Sequence, residues 1–153
     1  MRVAGLDVGE KTIGVAVSDP LGWTAQGVEV VRRTTLEADL ERLRTLFAGY
    51  EVGEVVVGLP RDMSGGEGAQ ARLVREFADA LARALGLPVT LWDERLTTAQ
   101  ATRALLEGDV SRRRRRQVVD RLAAQLILQA FLDRRRAAGG ARPGRSGGAG
   151  GER

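Results

Sequence analysis

The chain has 153 residues, a formal net charge of +4, and neither cysteine nor histidine. This composition excludes a disulfide framework and a thiolate or imidazole metal site, and it removes the commonest acid/base side chain. Catalysis would have to use carboxylates, hydroxyls, lysine or backbone groups, and a bound metal would be a hard ion with oxygen ligands. The length suits one ordinary domain. No run of eighteen apolar residues occurs and the first strand begins at once, so we expect neither a membrane span nor a signal peptide.

The first predicted element is a β-hairpin over residues 2–19, in which two short apolar stretches flank a turn that begins with Gly9. Asp7 is the unusual residue, because a carboxylate in a core strand is costly unless it is paired, hydrogen-bonded or bound to a metal. Strand alternation places Asp7 on one face with Val3 and Gly5, and Gly5 leaves room beside it. The alternative role for Asp7 is to accept hydrogen bonds from the amides of the turn.

The rest of the chain alternates strands with helices. Thr34 and Glu37 form a capping box that predicts the start of the first helix. Thr97 and Gln100 repeat this spacing and predict the start of a third helix. The other predicted elements are strands at 27–31, 53–59 and 87–92, a second helix that ends near Leu85, and a final helix with an apolar face from Val118 to Phe131.

The predicted order is β-β-β-α-β-α-β-α-α, which indicates an α/β fold. Three strands in an antiparallel meander followed by βα crossovers form a mixed five-stranded sheet with helices on both faces. We expect one domain over residues 1–136. Residues 137–153 are Gly-rich and carry no large apolar side chain, so we expect a disordered tail there.

Three carboxylates are predicted to meet at one rim of this sheet. Ligands of such sheets gather at the carboxyl ends of the parallel strands. Asp7 lies near the end of the first strand, Glu94 follows the fifth, and Asp120 lies near the start of the final helix. Taken singly, Glu94 could be a solvated strand-end acid, with Asp93 an equal candidate. Asp120 could pair with Arg116 or favour the helix N-terminus.

Together the three acids indicate metal-dependent phosphoryl transfer. Carboxylates crowded into a small volume repel one another and cannot all ionise without a cation. Oxygen-only ligands suit Mg²⁺ or Mn²⁺, and one or two such ions can stabilise the attacking and leaving oxygens of a phosphodiester. Nothing in this chemistry requires His or Cys.

The charge distribution suggests a polyanionic substrate. Residues 1–110 carry 12 basic and 17 acidic side chains, whereas residues 111–136 carry nine arginines and two aspartates. Five of these arginines form a run immediately before Asp120 that could contact phosphates. They are Arg112, Arg113, Arg114, Arg115 and Arg116. The alternative is a solvated charged face, which is the usual role of such runs.

Four motifs, in order and at compatible spacing, resemble the YqgF-type or RuvX proteins. The motifs are Gly-Leu-Asp7-Val-Gly, Val-Gly58-Leu-Pro60, Asp93-Glu94-Arg-Leu-Thr-Thr98 and Val-Asp120-Arg-Leu-Ala-Ala-Gln-Leu-Ile-Leu. The resemblance covers about residues 2–132. It implies a ribonuclease H-like fold and a cytoplasmic nuclease that trims the 5′ end of 16S ribosomal RNA precursors, with the acidic positions at Asp7, Glu94 and Asp120.

The other predicted site residues surround these acids. Lys11 and Arg95 are expected to contact nucleic acid together with the arginine run, and Thr12 and Thr98 are expected to support the acids or contact phosphate. Expected partners are structured RNA or branched DNA and ribosomal precursor particles, with no membrane, and the chain could be a monomer or a homodimer.

Three alternatives to the RNA-processing role stay open. A Holliday-junction resolvase would cut branched DNA and should form a two-fold dimer. A non-catalytic RNA-binding assembly factor would keep the fold without cutting, although such a protein has no need of three acids at one rim. The segment from Asp7 to Thr12 also resembles the phosphate loop of actin-like and sugar-kinase ATPases, but those enzymes enclose the nucleotide between two such domains.

Overall fold

The computed structural model describes residues 1–62, 64–98 and 112–139, with side chains from Val119 onward in the last range. The strands are β1 (Arg2–Val8), β2 (Thr12–Ser18), β3 (Ala25–Arg32), β4 (Val52–Leu59) and β5 (Val89–Asp93). The helices are α1 (Leu36–Tyr50), α2 (Ala69–Leu85) and α3 (Arg112–Gly139), and a short 3-10 helix (Glu94–Leu96) follows β5.

The five strands form one mixed sheet in the order β3-β2-β1-β4-β5. β1 pairs antiparallel with β2, and β2 pairs antiparallel with β3, while β1, β4 and β5 run parallel. The antiparallel meander and the βα crossovers confirm the predicted α/β fold. Since β1 lies at the centre, the carboxyl end of β1 is flanked by the carboxyl end of β4 and the start of β2.

The helices cover the two faces of the sheet in different ways. On one face, α1 and α2 pack large apolar side chains such as Leu43, Phe47 and Leu81 against the strands. On the other face, α3 lies very close to the sheet. A Cβ atom on Gly5 of β1 would come within 2.7 Å of Leu128 Cβ on α3, closer than real Cβ atoms approach one another. Glycine at this strand position therefore sets the distance between α3 and the sheet.

The start of α1 differs from the prediction by one residue. Thr35, not Thr34, is the N-cap, and its hydroxyl accepts a hydrogen bond from the Ala38 amide at 3.1 Å. The Thr34 amide instead donates to Oδ1 of the buried Asp39 at 3.0 Å. The predicted capping box is therefore wrong, because a tertiary contact of Asp39 engages the backbone of Thr34.

Two predictions for the C-terminal third fall partly outside the described residues. The third helix expected after Thr97 lies on residues 99–111, which are not among them. α3 continues to Gly139, and the remainder of the expected tail, residues 140–153, also lies outside. Within the described part of the chain, none of the helices is long and apolar enough to cross a membrane.

Candidate active site at the end of the central strand

The site is built on a row of residues that crosses the sheet at Asp7. Asp7 on β1 faces Gly14 on β2 directly. On the other side, continuing the register of Leu6 with Val57 by one residue aligns Asp7 with Gly58 on β4. Residues aligned across a sheet point to the same face, and neighbouring strands are about 4.8 Å apart. Asp7 thus lies on the α3 face with a glycine on either side.

Asp120 lies over the first of these glycines. A Cβ atom on Gly14 would overlap the backbone carbonyl of Asp120, so α3 rests directly on β2 at this point. The Asp120 carboxylate accepts a hydrogen bond through its Oδ2 from the hydroxyl of Thr12, at the start of β2. Thr12 therefore contacts Asp120 directly, and its role in the reaction stays a prediction.

Glu94 fills the space above the second glycine. Its Oε2 would be 2.8 Å from a Cβ atom on Gly58, and its Cγ would be 3.2 Å away. The Glu94 side chain is only 3 % exposed, in contrast to a solvated strand-end acid. The structure therefore places the backbone of Asp120 over Gly14 and the carboxylate of Glu94 over Gly58, the two strand positions that flank Asp7.

Asp93, the neighbour of Glu94, has a different role. Its carboxylate accepts a hydrogen bond from the Arg95 amide at 2.9 Å and so caps the short 3-10 helix. It also accepts three side-chain hydrogen bonds from the Arg95 guanidinium, at 3.1, 3.1 and 2.7 Å, and lies 3.7 Å from the guanidinium of Arg61. The hydrogen bond from the Arg95 side chain lowers the pKa of Asp93 below its ordinary value of 3.8. Of the two candidates that the sequence left open, Glu94 is the one that points at the row.

The residues predicted to contact nucleic acid or to support the acids differ in their surroundings. Lys11 is exposed in the turn that precedes Thr12. Arg95 is held by Asp93, as described above. Thr98 is exposed, and it is Thr97 whose hydroxyl donates to the Glu94 carbonyl at 3.0 Å. The side chains of Arg112 to Arg116 lie outside those that the structure describes, so their role stays a prediction.

The residues that the sequence analysis missed are Gly14 and Gly58. Both are glycines in the interior of otherwise apolar strands, which is a known sign of a close approach by another backbone or side chain. That sign was read at Gly5 alone. Together the two glycines open the sheet surface on both sides of Asp7.

The side chains of Asp7, Glu94 and Asp120 fit a hard divalent cation, because all three offer carboxylate oxygens. Within residues 1–62, 64–98 and 112–139, no group of three or more acidic side chains is already gathered around one point that could hold a metal ion. Magnesium is usually bound by only one or two protein carboxylates, with water and substrate phosphates completing the shell. Asp7 together with either Asp120 or Glu94 could supply the one or two carboxylates that this way of binding magnesium requires.

Comparison with known proteins identifies the family. The model of the RuvX family, described as Holliday junction resolvase, matches residues 1–134. The chain belongs to the RuvX family. Among its curated relatives, a protein of Myxococcus xanthus named "Putative pre-16S rRNA nuclease" is 61% identical over 136 residues, which are 89% of this chain and 90% of the relative. A Moorella thermoacetica protein of the same name is 62% identical over 134 residues, 88% of this chain and 96% of that protein.

Solved structures agree on the fold. RuvC of Thermus thermophilus, determined in complex with a Holliday junction substrate, superimposes with a TM-score of 0.55 at 20% identity and covers 94% of this chain and 99% of its own. The fowlpox virus Holliday junction resolvase gives a TM-score of 0.50 at 11% identity, with 88% and 99% of the two chains covered. At these identities the likeness concerns the fold alone, and it confirms the predicted ribonuclease H-like architecture.

Family membership also confirms the predicted class of enzyme. RuvX proteins and the nuclease-named relatives are hydrolases that act on nucleic acid, so nucleic acid is the class of partner. Membership of a resolvase and nuclease family implies dependence on a divalent metal ion in general terms.

Proposed function

We propose that this chain is a divalent-metal-dependent nuclease in which Asp7, Glu94 and Asp120 hold one or two Mg²⁺ or Mn²⁺ ions. The observation that carries the proposal is the row in the sheet: Asp7 lies between Gly14 and Gly58, with Asp120 over one glycine and Glu94 over the other. The space that these glycines leave would otherwise hold ordinary side chains. A bound divalent cation would offset the cost of holding three ionised carboxylates near one another in a partly buried site.

Each residue has a separate task in this proposal. Asp7 comes from the central strand and is the ligand that both sides of the site share. Asp120 is oriented by the hydroxyl of Thr12, and Glu94 is oriented by the capped turn that begins at Asp93. When bound, divalent ions supply charge stabilisation at the attacking and leaving oxygens of the scissile phosphate. Without His or Cys in the chain, the protein's own contribution is to fix these carboxylates and to position the phosphodiester.

The proposed substrate is the 5′ region of a 16S ribosomal RNA precursor, which the enzyme would process in the cytoplasm. The names of the curated relatives support this proposal. Ribosomal precursor particles would then be the partners, and a monomer suffices. The second candidate is cleavage of four-way DNA junctions by a homodimer, which the family description and the likeness to RuvC favour. In both cases, Lys11 and Arg95, which are exposed, would contact phosphates, and so would the run from Arg112 to Arg116.

The test compares two substrates and two aspartates of the same helix. The purified chain is incubated with a 5′-extended 16S precursor fragment and, separately, with a four-way DNA junction, in Mg²⁺ and in Mn²⁺. Asp120→Asn should reduce metal-dependent cleavage at least about 100-fold. Asp133→Asn is the matched control, because Asp133 lies on α3 but is exposed near its other end. It should cut like the parent.

The outcomes separate the candidates. Cleavage of the precursor but not of the junction supports RNA processing, and the reverse supports the resolvase. If neither substrate is cut in either metal, or if Asp120→Asn cuts as fast as Asp133→Asn, the proposed site is wrong. Tight binding without cleavage would support an RNA-binding assembly factor instead.

A further inference from the structure

The turn between β1 and β2, residues 9–11, is anchored from outside the hairpin. Exposed hairpin turns are ordinarily among the more mobile parts of a fold. Here the Gly9 carbonyl accepts a hydrogen bond from Arg33 Nη1 at 3.0 Å, and the Lys11 carbonyl accepts one from the Arg33 amide at 2.9 Å. Just before the turn, the Val8 carbonyl accepts a hydrogen bond from Gln70 Nε2 at 3.2 Å. Arg33 thus contacts two of the three carbonyls, that of Gly9 through its side chain and that of Lys11 through its backbone amide.

Arg33 is itself fixed at its other end. Its Nε donates to Oδ2 of Asp39 at 3.0 Å, and the Asp39 side chain is only 2 % exposed. The second oxygen of Asp39 accepts the Thr34 amide, and the Arg33 guanidinium lies 5.0 Å from the centre of the Phe77 ring. A guanidinium that is bonded to a buried carboxylate and stacked on an aromatic ring has little freedom, because its planar fork matches both partners.

The anchored turn leads directly to the acids. The Gly9 amide donates to the Thr12 carbonyl at 2.9 Å and closes the turn, and the Thr12 hydroxyl donates to Asp120. A continuous series of contacts therefore runs from Asp39 through Arg33, Gly9 and Thr12 to Asp120. It begins in the layer of α1 and ends at α3 on the opposite face of the sheet.

We propose that Arg33 is a positioning residue for the three acids. It acts by holding the β1–β2 turn, which places the Thr12 hydroxyl that orients Asp120. This inference rests on the proposed function and adds Arg33 to the residues of the site, although Arg33 would touch neither the metal nor the substrate. A carboxylate ligand is oriented by the groups that hydrogen-bond to it, and loss of such an outer partner typically weakens metal binding roughly 10- to 100-fold. Arg33 acts one step further out, so the lower end of that range applies.

The test measures Mn²⁺ binding to the metal-free protein by calorimetry, with no substrate present. Arg33→Gln should raise the dissociation constant about 10-fold. The shortened side chain faces an open groove of about 220 Å³, where water can replace the lost contacts. The matched control is Arg42→Gln, which removes the ion pair of Arg42 with Glu29, 2.6 Å long, between α1 and β3. It should bind Mn²⁺ like the parent.

A second variant and a second readout guard against simple unfolding. Arg33→Lys keeps the charge near Asp39 but lacks the fork that also reaches Gly9, so it should show a similar loss. Hydrogen exchange of the Gly9 amide should be faster in both Arg33 variants and unchanged in Arg42→Gln. If both Arg33 variants bind Mn²⁺ like Arg42→Gln, the inference is overturned.

A double-mutant cycle distinguishes positioning from a merely structural role. Thr12→Val removes the hydroxyl on which Arg33 is proposed to act, so Arg33→Gln should weaken Mn²⁺ binding less than about twofold further in that background. Fully additive effects would mean that Arg33 does not act through Thr12. Asp7→Asn is measured alongside: if the parent binds no Mn²⁺ or binds it independently of Asp7, the proposed function and this inference both fail. Asp7-dependent binding that Arg33→Gln leaves unchanged overturns the inference alone.

Discussion

The two faces of the sheet show two different ways of packing a helix on strands. The face under α1 and α2 is filled by large apolar side chains, such as Leu43 and Leu81, which keep helix and strand backbones apart. The face under α3 has glycines where the helix crosses: Cβ atoms on Gly5 and Gly27 would come within 2.7 and 3.0 Å of α3 atoms. Large side chains stabilise the fold through the apolar area that they bury, whereas glycines in the strands allow the backbone of α3 to approach the sheet closely.

This difference explains why the acids lie on the α3 face. A carboxylate has a short side chain, so Asp120 can lie beside Asp7 only if its own backbone comes close to the strands. The contact of Asp120 with Gly14 provides that approach. Apart from the contacts of Arg33, the α1 and α2 face should therefore tolerate altered apolar packing without losing cleavage, while the α3 face should not.

The largest expected effect on cleavage is that of Gly14→Ala. The added methyl group would overlap the Asp120 carbonyl, so α3 must move away from β2. We expect a loss of about 3 kcal/mol in the free energy of unfolding and loss of metal-dependent cleavage. Urea unfolding and a cleavage assay on the same preparation measure both. Gly49→Ala in α1 is the control, because nothing lies within 4 Å of the added Cβ, and it should be neutral or slightly stabilising.

Leu43→Ala should separate stability from function on the opposite face. Leu43 lies on α1 and is fully buried against the sheet, and its truncation leaves a cavity that typically costs about 2–5 kcal/mol. Cleavage per folded molecule should stay at the parental level, since the α1 layer can relax without moving Asp120. Cleavage that falls as far as in Gly14→Ala, at a temperature where the variant is folded, would contradict the proposed separation of the site from the apolar packing under α1.

Asp93 should show the smallest effect, and one that depends on pH. Because the hydrogen bond from Arg95 lowers its pKa in the folded protein, the ionised form stabilises the fold. This contribution is complete above the unfolded pKa of about 3.9 and is lost as the pH falls through the lower folded value. Asp93→Asn should therefore lower stability at pH 6 by at most about 1 kcal/mol, and the difference should shrink as the pH falls below about 4. A difference that does not shrink on acidification would point to a cause other than this ion pair.

The fold could largely be predicted from sequence because it follows local rules. Apolar strands, the turn at Gly9 and the apolar face of the final helix each report on nearby residues. The error at the start of α1 shows the limit of such rules: Thr34 and Thr35 both fit a cap, and the choice depends on Asp39, which holds Thr34 and Arg33 in the folded chain.

The acids proposed for the site follow from the sequence, whereas their geometry does not. Family motifs pointed to Asp7, Glu94 and Asp120, yet Asp93 could not be separated from Glu94 until the contact of Asp93 with Arg95 was known. The spacing function of Gly14 depends on α3, more than a hundred residues away in the chain. No local pattern encodes a pairing of that kind.

The most direct test of the central claim, that the α3 face brings three carboxylates together for metal, is a paired measurement on Asp7→Asn. Melting temperature in chelator and metal-dependent cleavage are determined on the same sample. The account predicts that cleavage is lost, that binding of RNA or junction DNA is largely retained, and that the metal-free variant melts at the parental temperature or slightly above it, because one of three crowded charges is removed. A variant that melts lower while its folded fraction still cuts, or one with full activity, would contradict the account.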